Sequence, residues 1–215
     1  MIHTEQEKFW SGDFGQQYSD RNNWTVEAYD DFYKSQWGFA KTDINNDCIG
    51  HLPKDIKILE VGCNIGLQLR CLQQMGFTNL YGVELQQYAV EKAKSITQHI
   101  NIVQGSGFDI PFKDHYFDIV VTNGVLIHIA PEDHFKMMAE MMRCSKKYIW
   151  GWEYYAPEIT NINYRGNEGF LWKADFSKIF QHYFPELKEV YRKMYPYIPE
   201  NQKGNTDYMY LLEKQ

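Results

Sequence analysis

The sequence predicts an α/β protein built on a doubly wound, mostly parallel sheet, and three observations predict it. From residue 57 onward, short β-rich runs alternate with stretches of helical spacing, as successive strand–helix units require. The first run, "KILEV" at 57–61, opens onto "GCNIG", a glycine turn of the kind that joins a strand to a helix in open sheets. The last two runs, "LKEVYRKMY" and "DYMYLLEK", are joined by a Pro, Gly and Asn-rich loop without a crossover helix, which suits an antiparallel C-terminal pair.

Residues 1–56 read as short helices forming an N-terminal cap. "KILEV" is the first strand; Leu67, Cys71, Leu72 and Met75 then fall near helical spacing until Gly76, a glycine of the type that ends helices. "NLYGVEL" (79–85) is the second strand, and a helix runs through "QQYAVEKAKSITQH". "INIVQG" and "FDIVVTN" are the third and fourth strands, the latter bounded by Asp118 and Asn123. "PEDHFKMMAEMMRC" places Pro131 in a first helical turn and buries its methionines, and "KKYIWGWE" is the fifth strand. The core therefore spans 57–153. Residues 154–215 comprise a long aperiodic loop (154–172), a helix in "KADFSKIFQHYF" and the two closing strands, seven strands in a single domain.

A chain of 215 residues with 44 % hydrophobic content is enough for one buried core. Its net charge of −6 is interspersed, with no basic track to follow a phosphate backbone, so nucleic acid is not an expected partner. No run reaches the roughly 18 apolar residues of a membrane span, and "MIHTEQEKFW" lacks the regions of a signal peptide, so a cytoplasmic protein is expected. Cys48, Cys63, Cys71 and Cys144 include no CxxC pair, which predicts reduced thiols and no metal site. The 16 Tyr, 13 Phe and 6 Trp concentrate in 9–39 and 148–210, which suits either satellite core or a lid of rings over a ligand.

A nicotinamide or flavin dinucleotide needs three glycines as G-x-G-x-x-G; after Gly62 those positions hold Asn64 and Leu67, so a dinucleotide is disfavoured. Glu84 ends the second strand eighteen residues after Gly66, where a carboxylate takes the two ribose hydroxyls of an adenosine. The pair fits a nucleoside without a pyrophosphate.

"ILEVGCNIG", "LYGVEL" and "GSGFDIPFKDHYFDIVVTNGVLIHI" resemble the successive motifs of class I S-adenosylmethionine-dependent methyltransferases over about residues 57–153. More narrowly, "FGQQYSDRN", "NGVLIHIAPE" and "NYRGNEGFLWKADF" resemble the pseudaminic acid biosynthesis-associated methylases of bacterial surface-sugar clusters. The resemblance implies S-adenosylmethionine as cofactor, with Glu60, Gly62 and Gly66 forming its turn, Glu84 on the ribose, and Leu85 and Gly107 beside the adenine. Ser106 stands where the family commonly has Asp, so Phe108 or Asp109 is a candidate to share the adenine contact. Asn123 and Gly124 would lie beside the methionine part, and Tyr18, Arg21 and Asn22 within reach of the cofactor, with Arg21 suited to its carboxylate.

For methyl transfer to a sugar hydroxyl, His128 and Glu153 are the two candidate bases. Tyr154, Tyr155, Tyr164, Arg165 and Trp172 are candidates to line the acceptor pocket, Arg165 suiting a phosphate or carboxylate, so a small anionic sugar is the expected acceptor. A cofactor-binding protein without catalysis, another cofactor-dependent chemistry, or a quinone, lipid or protein acceptor remain as alternatives.

Overall fold

The computed structural model describes residues 4–215. Four helices precede the first strand: α1 (Glu5–Ser11), α2 (Asp13–Arg21), α3 (Val26–Trp37) and α4 (Lys41–Ile49). Their boundaries follow local chemistry. The Thr4 hydroxyl accepts the Glu7 amide while the Glu7 carboxylate accepts the Thr4 amide, a reciprocal cap that starts α1. Thr25 caps α3, and Gly38, at φ +83°, ends it.

The sheet then builds from β1 (Lys57–Val61), β2 (Asn79–Glu84), β3 (Ile100–Gln104), β4 (Phe117–Asn123) and β5 (Ser145–Tyr154), all parallel. α5 (Leu67–Gln74) follows β1, α6 (Gln87–Ile96) follows β2, and α7 (His134–Cys144) precedes β5. The 154–172 segment, expected to be irregular, contains β6 (Thr160–Asn161), which pairs with β7 (Trp172–Lys173). That ribbon takes Lys173 out of the expected helix, so α8 (Phe176–Tyr183) starts later, capped by the Asp175 carboxylate on the Lys178 amide. β8 (Leu187–Pro196) and β9 (Thr206–Lys214) close the chain, β9 running antiparallel to both β5 and β8. Pro131 opens a 3-10 turn (Pro131–Asp133) rather than α7 itself.

The seven-stranded order is β3-β2-β1-β4-β5-β9-β8. Both faces are covered, and the central strands divide their side chains between them: Ile58, Ile119 and Val121 face one buried cluster, Leu59 and Val120 the other. The cap supplies Tyr33, Trp37, Ile44 and Ile49 to the first cluster, at roughly 1.5–3 kcal/mol per fully buried large side chain. Because β1 lies between β2 and β4, the chain leaves β1 toward one edge and later returns through β4 toward the other. The carboxyl ends of β1 and β4 thus part at a switch point, where open α/β sheets bind ligands. Among the described residues no helix is long and apolar enough to cross a membrane, and the four cysteines are free and buried.

Candidate functional site

A cavity of about 470 Å³ lies at that switch point. Its floor is the carboxyl ends of β1, β2, β4 and β5; its cover comes from α1, α2, α3 and residues Tyr164 and Leu171 of the loop after β5.

At one end the walls are backbone. The Gly62 and Cys63 amides donate to the Val83 carbonyl at 2.8 and 3.1 Å, which folds the turn against β2. Gly62 has φ +72°, and a Cβ there would sit 2.7 Å from Val125 Cγ2. Gly66, at φ +77°, caps α5 but does not line the cavity; its place is in the turn's geometry. Glu84 accepts the Asn64 amide at 2.8 Å on one oxygen and the Gln86 amide at 2.8 Å on the other, so its carboxylate is fixed in the wall. Burial raises its pKa, with those amides acting in the opposite sense. Glu60 is 3 % exposed, its Oε2 has no hydrogen-bond partner among the described residues, and burial raises its pKa well above the ordinary carboxyl range.

Among the residues expected beside the adenine, Ser106 departs from the expectation. Ser106 lies outside the lining: its hydroxyl donates to the Glu7 carboxylate in a short hydrogen bond and accepts the Phe108 amide at 3.0 Å. Gly105, Gly107, Phe108, Leu85 and Glu7 itself line the cavity. Sequence reasoning missed Glu7; "TEQE" is readable as a helix start, yet nothing in it announces a partner 99 residues away. Gln86 ties the same cap down through the carbonyls of Trp10 and Gly12, at 3.4 and 2.9 Å.

At the other end the walls are side chains. Asn123, ending β4, accepts the Lys41 ammonium at 2.8 Å and donates to the Tyr29 hydroxyl at 3.4 Å. Lys41 is fully buried behind the lining, its Nζ 4.9 Å from the Tyr33 ring centre and 4.2 Å from that of Trp152; burial draws its pKa down to about 7. Glu153 accepts the amides of Val125, Leu126 and Ile127 at 3.3, 3.3 and 3.4 Å, clamping the 3-10 turn Leu126–His128, and burial pushes its pKa up to about 7. His128 Nδ1 lies 2.7 Å from the Phe170 carbonyl; a carbonyl only accepts, so Nδ1 carries the proton and Nε2 keeps a lone pair. Burial pulls the His128 pKa down to about 4, and the rings of Trp10 and Tyr164 flank it at 4.6 and 5.0 Å. Glu153 thus holds the turn that carries His128.

Of the acceptor candidates, Tyr154 and Tyr164 line the cavity, and Arg165, Tyr155 and Trp172 do not. Arg165 is exposed at φ 51° in a bend of the loop, Tyr155 packs on the Tyr208 ring at 5.3 Å, and Trp172 is tied into the β6–β7 ribbon. Arg21 is also outside, exposed on α2 with its guanidinium 5.9 Å from the Phe14 ring centre, whereas Tyr18 and Asn22 line the cavity. Among the described residues, the lining contains no Lys or Arg, and no group of His, Cys, Asp and Glu is placed to hold a metal ion.

Residues 59–148 match a family profile described as a methyltransferase domain. A curated protein of Haemophilus influenzae, described as uncharacterized, is 30 % identical over 103 residues; the match covers 45 % of this chain and 41 % of that one, less than half of the relative's length. Among solved structures, the PH0226 protein of Pyrococcus horikoshii is similar at TM-score 0.62 and 14 % identity, covering 99 % of this chain and 100 % of that one. A protein of Methanosarcina mazei described as an S-adenosylmethionine-dependent methyltransferase is similar at TM-score 0.63 and 15 % identity, covering 80 % and 96 %. At these identities the structural likeness concerns the fold.

Proposed function

We propose that this chain, whose residues 59–148 match a methyltransferase-domain profile, is a class I S-adenosylmethionine-dependent methyltransferase that transfers the cofactor's methyl group to a small molecule held at the ring-walled end of the same cavity. The observation that carries this reading is continuity: one cavity joins the Gly62 turn and Glu84 to His128, Tyr164 and Asp207.

The residues fit the cofactor. Gly62 and Gly107 both line the cavity, and a Cβ at either would meet the Val125 side chain at 2.7 Å or that of Met137 at 2.8 Å, so bare backbone is packed tightly into the wall at both positions. Glu84, fixed by two amides, has lone pairs left for ribose hydroxyls, and the buried Glu60 Oε2 can accept a donor from the methionine end. When bound, the cofactor supplies a methyl already activated on a sulfonium, so no covalent enzyme intermediate is needed. The protein's tasks are alignment, exclusion of water and handling of one proton. Trp10, Tyr18 and Tyr164 cover the site from the cap and the loop. His128 Nε2 serves as acceptor for the proton on the acceptor's nucleophilic atom, and Glu153 positions it through the turn. A sugar-sized acceptor suits a chamber of rings and hydroxyls; with Arg165 outside the lining, the geometry gives no support to a negative charge on it.

The test has two stages. Calorimetry with S-adenosylhomocysteine measures cofactor-site binding, and mass spectrometry of amino sugars, nucleotide-sugars and nonulosonic acids incubated with S-adenosylmethionine measures transfer. Cofactor binding with methylation of a small molecule is expected; methylation of RNA or protein with no small molecule modified would overturn the acceptor reading.

A further inference from the structure

The charges around the cavity are one-sided. Five carboxyl side chains line it, Glu7, Glu60, Glu84, Glu153 and Asp207, against no Lys or Arg among the described residues. Three are engaged in holding the walls: Glu7 on Ser106 and Thr4, Glu84 on two amides, Glu153 on three. Glu60 belongs to the cofactor end. Of the two at the ring-walled end, Glu153 holds the turn that carries His128, and Asp207 is used by no part of the mechanism above.

Asp207 is the second residue of β9, opposite Tyr154, and is 6 % exposed, its carboxylate accepting the Tyr197 hydroxyl at 3.2 Å. The lining rings near it are Tyr33, Trp152, Tyr154 and Tyr197, with Trp37 4.7 Å from the Tyr197 ring centre. Trp37, 7 % exposed, keeps its Nε1–H without a partner among the described residues, a donor that suits an acceptor atom on a ligand's frame and not an ammonium. Rings around a buried carboxyl suit an ammonium, which gains from the ring faces and from the carboxylate together.

We propose that the ring-walled end binds a basic amine of the acceptor, its ammonium paired with the Asp207 carboxylate. The inference rests on the methyltransferase reading and names the acceptor's chemical class within it: an amine-bearing small molecule, recognised by its ammonium and presented to the methyl through another part of its frame. The charged and titratable groups that face Asp207 are Lys41 on α4, Lys173 on β7, Glu153 and Tyr154 on β5, Tyr33 on α3, and Tyr197. Neither lysine lines the cavity; Lys41 donates to Asn123 at 2.8 Å and Lys173 to Asn205 at 2.6 Å. Burial holds the Asp207 pKa up at about 8, so at neutral pH the empty site keeps its proton. An arriving ammonium favours the carboxylate, and binding therefore releases that proton.

The experiment uses three matched probes, 2-phenylethylamine, 2-phenylethanol and 3-phenylpropionate, and the sugars glucosamine, glucose and glucose 6-phosphate. Each is titrated calorimetrically into the full chain and into Asp207→Asn, in two buffers of different ionisation enthalpy at neutral pH. S-adenosylhomocysteine is titrated first and reports on the methyltransferase reading alone; the probes follow whatever its outcome, so the two readings fail separately. The expected result is an amine preference of at least about tenfold over both isosteres, abolished in Asp207→Asn. Proton release near one per amine bound is expected in the unaltered protein, a readout that holds even where Asp207→Asn fails to fold. Equal or tighter binding of the alcohol or carboxylate, an amine preference that survives Asp207→Asn, amine binding without proton release, or no amine binding at about 10 mM would each overturn it.

Discussion

The two ends of the cavity are made of different material. The end proposed for the cofactor is mostly main chain: left-handed glycine at 62, amides folded onto the Val83 carbonyl, and a carboxylate pinned by two amides at Glu84. The end proposed for the acceptor is made of side chains from α3, β5, the loop after it, the β8–β9 connection and the start of β9. A wall of backbone tolerates almost no change in residue type, because the constraint lies in φ and in the space for Cβ. A wall of rings tolerates exchange of one apolar side chain for another and takes its specificity from the few polar groups among them, His128 and Asp207 in the proposals above. The comparison therefore predicts steep losses at the first end and selective ones at the second.

The largest effect is expected at Gly62→Ala. A left-handed φ costs a non-glycine residue about 1–2 kcal/mol, and a Cβ 2.7 Å from Val125 adds about 1–3 kcal/mol of overpacking. Thermal unfolding should move down by several degrees and cofactor affinity should fall beyond calorimetric detection. The companion substitution Val125→Ala should restore part of the stability, because it removes the colliding methyl groups but leaves φ as it is. Recovery of full stability would place the whole penalty in the collision.

Glu84→Gln comes next. The amide keeps one acceptor oxygen where the carboxylate had two, so either a backbone amide or a ribose hydroxyl loses its partner, a loss of about 1–3 kcal/mol or roughly 5- to 150-fold in affinity for S-adenosylhomocysteine. Calorimetry on the folded variant checks it; an unchanged affinity would move the ribose elsewhere.

At the acceptor end, His128→Gln should lower kcat by about tenfold to a hundredfold, with cofactor affinity unchanged within about twofold. The same residue gives a stability signature. Its folded pKa of about 4 lies below the ordinary 6.5, so the stability from burying it neutral is complete above pH 6.5 and is lost as pH falls through about 4. His134, also held at about 4 by burial, loses its contribution over the same window. Unfolding midpoints from pH 7 down to 4 should fall less steeply in His128→Gln than in the unaltered protein, by on the order of 2 kcal/mol across the window. Parallel curves would mean that His128 is not buried neutral.

The smallest effect is expected at Arg165→Ala. An exposed side chain outside the lining should leave cofactor affinity and acceptor turnover within about twofold, although its sequence context reads as an anion site. A selective rise in acceptor KM would return an anionic acceptor to consideration and count against the amine.

What the sequence made legible divides along the same line. The seven strands, the glycine turn and Glu84 are readable because each is local: a run of β-formers, a spacing within one βα unit, a carboxylate at a strand end. Gly76 is readable as a helix end for the same reason, and its φ is +93°. The side-chain end is not local. Glu7 lines the cavity while held by Ser106, 99 residues on, and Lys41 reaches it through Asn123, 82 residues on; neither distance leaves a mark in the chain. Arg21 and Arg165 were attractive for charge, but long cationic side chains at helix ends and loop tips remain solvated unless something desolvates and pairs them. Lys41, the buried cation beside the site, looks in the sequence like any lysine opening a helix. Glu153 was readable as a residue at a strand end, but its bond to the turn carrying His128 depends on how tightly that turn folds over β5.

The measurement that bears most directly on the central claim is a calorimetric titration of S-adenosylhomocysteine into the unaltered protein, Gly62→Ala and Arg165→Ala under one set of conditions. Saturable one-to-one binding in the low micromolar range, about −8 kcal/mol, is expected for the unaltered protein and for Arg165→Ala, with no saturable heat in Gly62→Ala. Absence of binding in the unaltered protein, or identical isotherms for the Gly62 variant and its parent, would contradict a cofactor site at the β1 turn.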